Sequence, residues 1–361
     1  FTGSLDISGS RISFDDGKQN IAIGTNSIGA SGFTGTTNIA IGENAMLDAN
    51  GANTNYNIVI GYNAGKSFGA NNVYSNILIG RQAGMNINSG DASNTIAIGT
   101  NAGIDITSGQ RNLLIGTEAG TNISTSDDNT AIGYNAMHGN DSTAGTGTGR
   151  NTGIGSSVLY AITTGQQNVA IGTSAGSTLT TTSHTVLIGH NAGLAINSTD
   201  ANGTVAIGME AGKAITSGAS NVAIGYEALK TTTTGLRNIA IGYEAMHDTD
   251  AGSSSSDSDN NIFIGYGAGG GAWANAKSEF NVAIGSNVMQ GVLNGAVYNS
   301  ALGYFALASV TSGDKNVAVG SEAGYAITSA TNNTFMGYQS GFALIDGTSN
   351  TAMGMLSLST D

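Results

Sequence analysis

Three glutamates stand at equal intervals in the chain, at Glu210, Glu227 and Glu244. Retaining glycosidases use two carboxyl groups held about 5–5.5 Å apart. If each interval is one coil of a stacked structure, neighbouring glutamates would lie about 5 Å apart, the spacing between paired strands. The spacing therefore raises polysaccharide hydrolysis as a first hypothesis.

A second set of charged residues argues against that hypothesis. Lys213, Lys230 and His247 each follow one of these glutamates by three residues. A cation beside a carboxylate lowers its pKa, whereas the acid of a glycosidase needs a raised pKa. A neutralised surface ladder is the favoured interpretation, and the sequence predicts neither a catalytic residue nor an enzyme.

The histidines do not form a complete metal or nucleophile site. His138 and His247 lie several repeats apart, while His184 and His190 are close in sequence but lack a carboxylate or thiolate partner. The chain has no cysteine, no serine in a nucleophile elbow and no phosphate-binding loop. We therefore expect no cofactor.

An acidic segment is a weak candidate for Ca²⁺. It carries Asp248, Asp250, Asp257 and Asp259 within "HDTDAGSSSSDSDN". Such oxygen-rich spacing can bind Ca²⁺, but the order of residues is not that of an EF-hand. A flexible acidic loop without a metal is the favoured interpretation.

Aromatic side chains are the candidates for binding. Tyr226, Tyr243 and Tyr266 each follow a glycine of the repeated phrase described below. Such a row could stack on sugar rings, or it could be an aromatic ladder that covers a bend. Trp273, the single tryptophan, lies in "GGGAWANAKSEF" and could anchor a glycan or a protein, or pack on the shaft.

The elements that position these residues come from an internal repeat. The phrase Asn-apolar-Ala-Ile-Gly recurs nineteen times, and nine of the eighteen intervals between copies are 17 residues. Its final glycines, called bend glycines here, are Gly24, Gly42, Gly61, Gly80, Gly99, Gly116, Gly133, Gly155, Gly172, Gly189, Gly208, Gly225, Gly242, Gly265, Gly285, Gly303, Gly320, Gly337 and Gly354. A fixed period with small insertions indicates a stack of coils with variable loops.

Each coil can be interpreted from its alternation of side chains. The phrase alternates large, small and large residues, the period of a strand, and its glycine permits a bend. An apolar residue seven positions later, such as Ile215 or Ile327, predicts a second short strand. The fold predicted is all-β: a parallel β-solenoid (β-roll or β-helix) of about nineteen coils with a 17-residue basic repeat. Residues 1–19 would be an N-terminal cap or linker, and 20–361 a shaft with loop insertions near 138–150, 247–260 and 270–280.

The alternation also predicts which side chains face inward. We expect the large residues, such as Ile224 and Ile241, to fill the coil, with the small middle residue outside. The middle residue is alanine in twelve of nineteen copies, and a continuous outward apolar strip marks an interface. Several rods would then pack side by side, most simply as a homotrimer. The alternative is that the chain's own residues cover this strip.

The phrase begins with asparagine in sixteen copies, among them Asn221 and Asn238. Such a row could bind a ligand or ice, but it flanks the core strand. We therefore expect an amide ladder between coils. With the bend glycines Gly225 and Gly242, these asparagines are structural residues of the repeat.

Composition restricts the partners. The formal net charge is −13 over 361 residues, which argues against nucleic acid. No apolar run approaches the ~20 residues that cross a bilayer, so no membrane insertion is expected. Proline, which would remove a ladder donor, is absent.

The repeat resembles a known family. The stretch "NVAIGYEALKTTTTGLRNIAIGYEAM" is similar to the glycine-rich repeats of phage tail-fibre proteins. Its "VAIG" core also resembles the head repeats of trimeric autotransporter adhesins of the YadA type, whose coils are usually shorter. The resemblance covers about residues 20–358. It implies a homotrimeric, left-handed parallel β-roll or β-helix fibre outside the cell that attaches and does not turn over substrate.

The predicted function is therefore a structural fibre: the trimeric shaft of a phage tail fibre that attaches to a host cell surface. Its partners would be its own copies and a host glycan or protein receptor, and its location extracellular, on the virion. The autotransporter's stalk and membrane anchor are not recognisable, and neither is a C-terminal chaperone domain after Asp361. A bacterial trimeric surface adhesin is the second hypothesis, and a polysaccharide-degrading tailspike the third.

Overall fold

The computed structural model describes residues 12–14, 18–29, 32–50, 53–69, 73–88, 92–139, 149–249 and 257–359. The chain divides into two compact units, an N-terminal unit of residues 1–181 and a C-terminal unit of residues 182–361. In both units the described residues form an all-β solenoid of stacked coils with one three-residue strand per coil. A short 3₁₀ turn lies at Thr199–Ala201.

The N-terminal unit contains one antiparallel strand followed by nine parallel ones. Strand β1 pairs antiparallel with β2, within the segment predicted as a cap or linker. From β2 onward each strand pairs in parallel with the next. The strands are β1 (Ile12–Phe14), β2 (Ile21–Ile23), β3 (Ile39–Ile41), β4 (Ile58–Ile60), β5 (Ile77–Ile79), β6 (Ile96–Ile98), β7 (Leu113–Ile115), β8 (Thr130–Ile132), β9 (Thr152–Ile154) and β10 (Val169–Ile171).

The C-terminal unit contains ten parallel strands in unbroken register, so that first, middle and third residues form columns. They are β11 (Val186–Ile188), β12 (Val205–Ile207), β13 (Val222–Ile224), β14 (Ile239–Ile241), β15 (Ile262–Ile264), β16 (Val282–Ile284), β17 (Ser300–Leu302), β18 (Val317–Val319), β19 (Thr334–Met336) and β20 (Thr351–Met353). The predicted parallel β-solenoid is therefore confirmed within each unit.

The strands face the opposite way from the prediction. From β3 to β20 the middle residue is buried, whereas its two neighbours are partly or fully exposed. In β13, Ala223 is fully buried between the partly exposed Val222 and Ile224. The prediction that Ile224 and Ile241 fill the coil was wrong. The alanine column lies inside, and the large residues form an outward face, called the strand face here.

Each strand from β3 to β20 contributes only its middle residue to the interior of the coil. The middle residue shares the interior with an alanine three positions after the bend glycine and with the residue one position further on. Wherever the middle residue is bulky, that last position is glycine, as in the pairs Val59–Gly65, Leu78–Gly84, Leu114–Gly120, Leu187–Gly193, Phe263–Gly269 and Phe335–Gly341. A Cβ at Gly193 would lie 2.7 Å from a methyl group of Leu187. A glycine in the same coil therefore makes room for each bulky middle residue.

The second predicted strand is not formed in the described residues. Ile215 and Ile327 are fully buried as expected, but they lie in the turn segment of the coil. The backbone is left-handed at the second and fourth residues after the bend glycine, for example φ 53° at Glu227 and 52° at Leu229. Turns extend to the residue before Ile215 and Ile327, and bends follow them directly, so no extended strand forms around either residue.

The asparagines at the phrase start form the predicted amide ladder. The backbone N–H and the side-chain amide of Asn261 both donate to Oδ1 of Asn238, at 3.0 and 3.1 Å. Asn281 bonds to Asn261 in the same way, at 3.1 Å for both donors. Asn221 and Asn238 are fully buried, so this column satisfies polar groups inside the coil and offers no surface to a ligand.

The bend glycines bring successive coils into direct backbone contact. Gly242 has φ 136°, and a Cβ there would lie 2.3 Å from the carbonyl oxygen of Gly265. The same distance separates a Cβ at Gly225 from the carbonyl oxygen of Gly242. The residue directly after each bend glycine is therefore held in a column of its own, called the post-bend column here.

Candidate functional site

The predicted charge ladder is a connected cluster of ion pairs in the C-terminal unit. The Lys230 ammonium lies 3.0 Å from a carboxylate oxygen of Glu210 and 3.0 Å from one of Glu227. Lys213 lies 2.9 Å from Glu210, and His247 Nε2 lies 2.8 Å from Glu227. The two glutamates are 13% and 12% exposed. The five side chains form what is called the ion-pair ladder here.

The ladder lowers the pKa values of its carboxyl groups. Hydrogen bonds from Lys213 and Lys230 lower the pKa of Glu210 to about 2. Burial raises the pKa of Glu227, but hydrogen bonds from Tyr226, Lys230 and His247 outweigh it, and the pKa is lower than usual. Both groups are ionised at neutral pH and are poor proton donors, which disfavours the acid role in glycoside hydrolysis.

The three candidate tyrosines stack as a ladder in the post-bend column. The ring centroids of Tyr226 and Tyr243 are 5.0 Å apart with 12° between the planes, and those of Tyr243 and Tyr266 are 5.3 Å apart with 9°. Hydrogen bonds to Glu227 and Glu244 raise the pKa values of Tyr226 and Tyr243, respectively. Because Tyr243 is covered on both faces, a sugar could not stack on it.

Trp273 lies in the interior. Its side chain is fully buried, and the indole N–H donates to the carbonyl oxygen of Gly269 at 2.9 Å. The ring packs against Phe263 at 5.7 Å between centroids and 60° between planes. Of the two interpretations of this tryptophan, its position favours packing over ligand anchoring.

The acidic segment is described in part, since Asp250 lies outside the described residues. Asp257 accepts a hydrogen bond from the Thr234 hydroxyl, and Asp259 accepts one from the Leu236 N–H at 2.6 Å. The backbone carbonyl oxygen of Asp248 accepts a hydrogen bond from the backbone N–H of Trp273 at 2.8 Å. Asp257 and Asp259 therefore bond to neighbouring coils.

In the described residues, no ring contact or ion pair joins one histidine to another. His138 stacks on Tyr160 at 5.0 Å and lies 3.8 Å from Glu118. His184 directly precedes Thr185, the phrase-start residue of its coil, and has φ 61°. Within the described ranges, no three His, Asp or Glu side chains are arranged to hold a metal ion.

Sequence reasoning missed a second ion-pair group, in the N-terminal unit. Arg111 donates to Asp128 at 2.5 and 3.0 Å and to Asp127 at 3.3 Å. With Arg150 these residues line an open polar pocket of about 270 Å³. The signal was present, because Arg111 and Asp128 both directly precede a phrase-start asparagine and therefore stack.

The strand face is the other feature that sequence reasoning placed incorrectly. Its third-residue column is apolar in every strand from β2 to β20, and no strand of this set contains a charged residue. Several members are well exposed, among them Ile284, Leu302 and Met336. No helix in the described residues is long and apolar enough to cross a membrane.

Comparison with known proteins adds no assignment: the chain matches no family model, and no curated protein matches it significantly.

Proposed function

We propose that this protein is a structural fibre whose copies associate side by side through the strand face. The observation that supports the proposal is the apolar third-residue column of that face, which continues through every strand of each unit, with no charged residue in the strands. Exposed apolar strips of this kind mark interfaces. The interface is therefore expected on the isoleucine columns, in place of the alanine column that the sequence suggested.

Three copies around an axis are the arrangement that we propose, as the resemblance of the repeat implies. Ten strands at ~4.8 Å, two residue steps wide, make a strip of roughly 300–400 Å² in the C-terminal unit alone. Threefold symmetry brings each face to a common axis, where it contacts two partners at once and the assembly closes.

The role that fits such an assembly is attachment at a distance. A stacked rod holds one end away from its anchor, and three copies multiply weak contacts into avidity. We infer the shaft of a phage tail fibre that contacts a glycan or protein on a host cell, outside the cell. A bacterial surface adhesin would use the same geometry. The lowered pKa values of Glu210 and Glu227 count against a polysaccharide-degrading spike.

Sedimentation velocity on the wild type and on Ile207→Lys/Ile224→Lys tests the proposal. Both isoleucines lie in the outward third-residue column of neighbouring strands. We expect a trimer for the wild type and dissociation for the variant, because lysine charges would be buried at the interface. Ala219→Lys, in the turn segment, should remain a trimer. A wild type that sediments as a monomer at micromolar concentration would refute the fibre.

A further inference from the structure

The post-bend column of the C-terminal unit changes character after Tyr266. Up to and including Tyr266, the tyrosines of three successive coils stack on one another. Beyond it, tyrosine and serine alternate from coil to coil, in the order Tyr266, Ser286, Tyr304, Ser321 and Tyr338. Every second ring of the ladder is therefore replaced by a hydroxymethyl group.

The register of the coils places these five residues in one column. Strands β15 to β19 pair in parallel without a shift. A Cβ at Gly265 would lie 3.2 Å from the Ser286 nitrogen, and one at Gly303 would lie 3.1 Å from the Ser321 nitrogen. Tyr266 and Tyr304 are thus two coils apart, about 9.6 Å at ~4.8 Å per coil.

The intact ladder shows what a two-coil gap can hold. Tyr243 lies between Tyr226 and Tyr266 at 5.0 and 5.3 Å, nearly parallel to both rings. The gap above Ser286 has the same two-coil span and lacks the middle ring, and the gap above Ser321 repeats it. One ring of a ligand can therefore take the place of each missing side chain.

The tyrosines on either side of each gap, called its walls here, are accessible, and one of them packs against a second aromatic ring. Tyr266, Tyr304 and Tyr338 are 56%, 50% and 48% exposed, compared with 44% for Tyr243, which is stacked on both faces. Tyr304, which both gaps share, contacts Phe305 of its own coil at 4.4 Å between centroids and 81° between planes. Ser286 and Ser321 are partly buried between these walls.

We propose that each gap binds one pyranose ring of a neutral glycan. A pyranose presents C–H groups on its faces, which the negative faces of aromatic rings attract, and hydroxyl groups on its rim. The serine hydroxyls lie at the floor of the gaps, and Asn287 and Glu322 follow them directly. The net charge of −13 disfavours anionic sugars. This inference rests on the proposed attachment function, for which it names the receptor class.

Saturation-transfer NMR with maltohexaose, cellohexaose and chitohexaose as probes tests the inference on the full chain. We expect saturation of the ring C–H protons of at least one probe. Ser286→Tyr/Ser321→Tyr fills both gaps with the side chain that the same column already stacks, so it should fold and bind at least tenfold more weakly. Tyr304→Ala, which removes the shared wall, should weaken binding similarly.

Tyr134→Ala is the matched control, because this exposed post-bend tyrosine lies in the N-terminal unit between Thr117 and Ser156 of the neighbouring coils. Its binding should equal that of the wild type. Absence of a signal from all three probes, or unchanged binding by Ser286→Tyr/Ser321→Tyr, overturns the glycan site. If the protein binds no probe but sediments as a trimer, the glycan site is refuted and the fibre proposal stands. If the protein binds a probe but sediments as a monomer, the fibre proposal is refuted and the glycan site stands.

Discussion

At the scale of residues, position in the stack decides what a side chain does. Glu210 and Glu227 have the types and spacing of a catalytic pair, but the ammonium of Lys230 lies 3.0 Å from each carboxylate. The sequence was sufficient to predict this neutralisation, because the cations follow the glutamates at a constant interval. The same constant interval put Tyr226 and Tyr243 in one stack.

Removing the charge of Glu210 should lower stability in a pH-dependent way. Its pKa is lowered to about 2 in the folded chain, so the ionised group stabilises the fold above its usual pKa of about 4.3, and this contribution is lost as the pH falls towards 2. We expect Glu210→Gln to cost about 1–2 kcal/mol at pH 7 and almost nothing near pH 2. Urea unfolding followed by circular dichroism measures both.

Glu279→Gln, in the same unit and outside the ion-pair ladder, is the control for this experiment and should change stability little at either pH. An equal loss for Glu210→Gln at pH 7 and pH 2 would contradict the ionic origin of the stabilisation.

The asparagine column gives a second prediction at this scale. Oδ1 of Asn299 accepts two hydrogen bonds from Asn316, both at 3.0 Å, and its amide donates to Gly313 at 2.7 Å. Asn299→Leu leaves these buried groups unpaired, so we expect a loss of about 2–4 kcal/mol at ~1–3 kcal/mol per orphaned group. Thermal unfolding should show a smaller loss for Asn299→Thr, because threonine holds this position at Thr95, Thr185 and Thr204. Equal losses would exclude the ladder as the cause.

At the scale of elements, the repeat, the strand phase and the bend were predictable, but the inward face was not. Size and hydrophobicity favour isoleucine inside, and the short coil reverses that preference because its interior has little space. The signal for the true orientation was in the sequence. Bulky middle residues such as Leu187 and Phe263 are always followed six positions later by glycine, which is the relation expected of side chains that share one small cavity.

The volume relation predicts a compensating pair within one coil. Ala240 and Met246 are both buried in the coil of β14. We expect Ala240→Leu to cost about 1–3 kcal/mol through overpacking and Met246→Gly to leave a cavity. The loss of unfolding free energy in the double variant should be at least about 1 kcal/mol smaller than the summed losses of the two single variants. The left-handed φ of 49° at Met246 suits glycine.

Equilibrium unfolding of the two single variants and the double variant gives this coupling. The control pairs Ala240→Leu with Met289→Gly, since Met289 holds the same position two coils further on. Additive losses in the Ala240/Met246 pair, or equal coupling in the control pair, would contradict volume matching within a coil.

At the scale of the whole molecule, the sequence and fold of one chain locate its surfaces, but they do not identify the molecules that bind there. The strand face could be located once the inward column was known, and its freedom from charge was visible in the sequence. The number of copies and the receptor depend on contacts with other molecules, about which a repeat pattern contains no information. The sedimentation and glycan-binding experiments above therefore test this scale directly.

The matching of volumes inside each coil has a consequence for how such a chain can change in length. A bulky middle residue and its glycine partner lie on the same 17-residue segment, as with Leu114 and Gly120. Removing or duplicating one whole segment between two asparagines takes both partners together and rejoins backbones of identical shape. The chain can therefore be lengthened or shortened by one coil at a time without separating a bulky residue from its glycine partner.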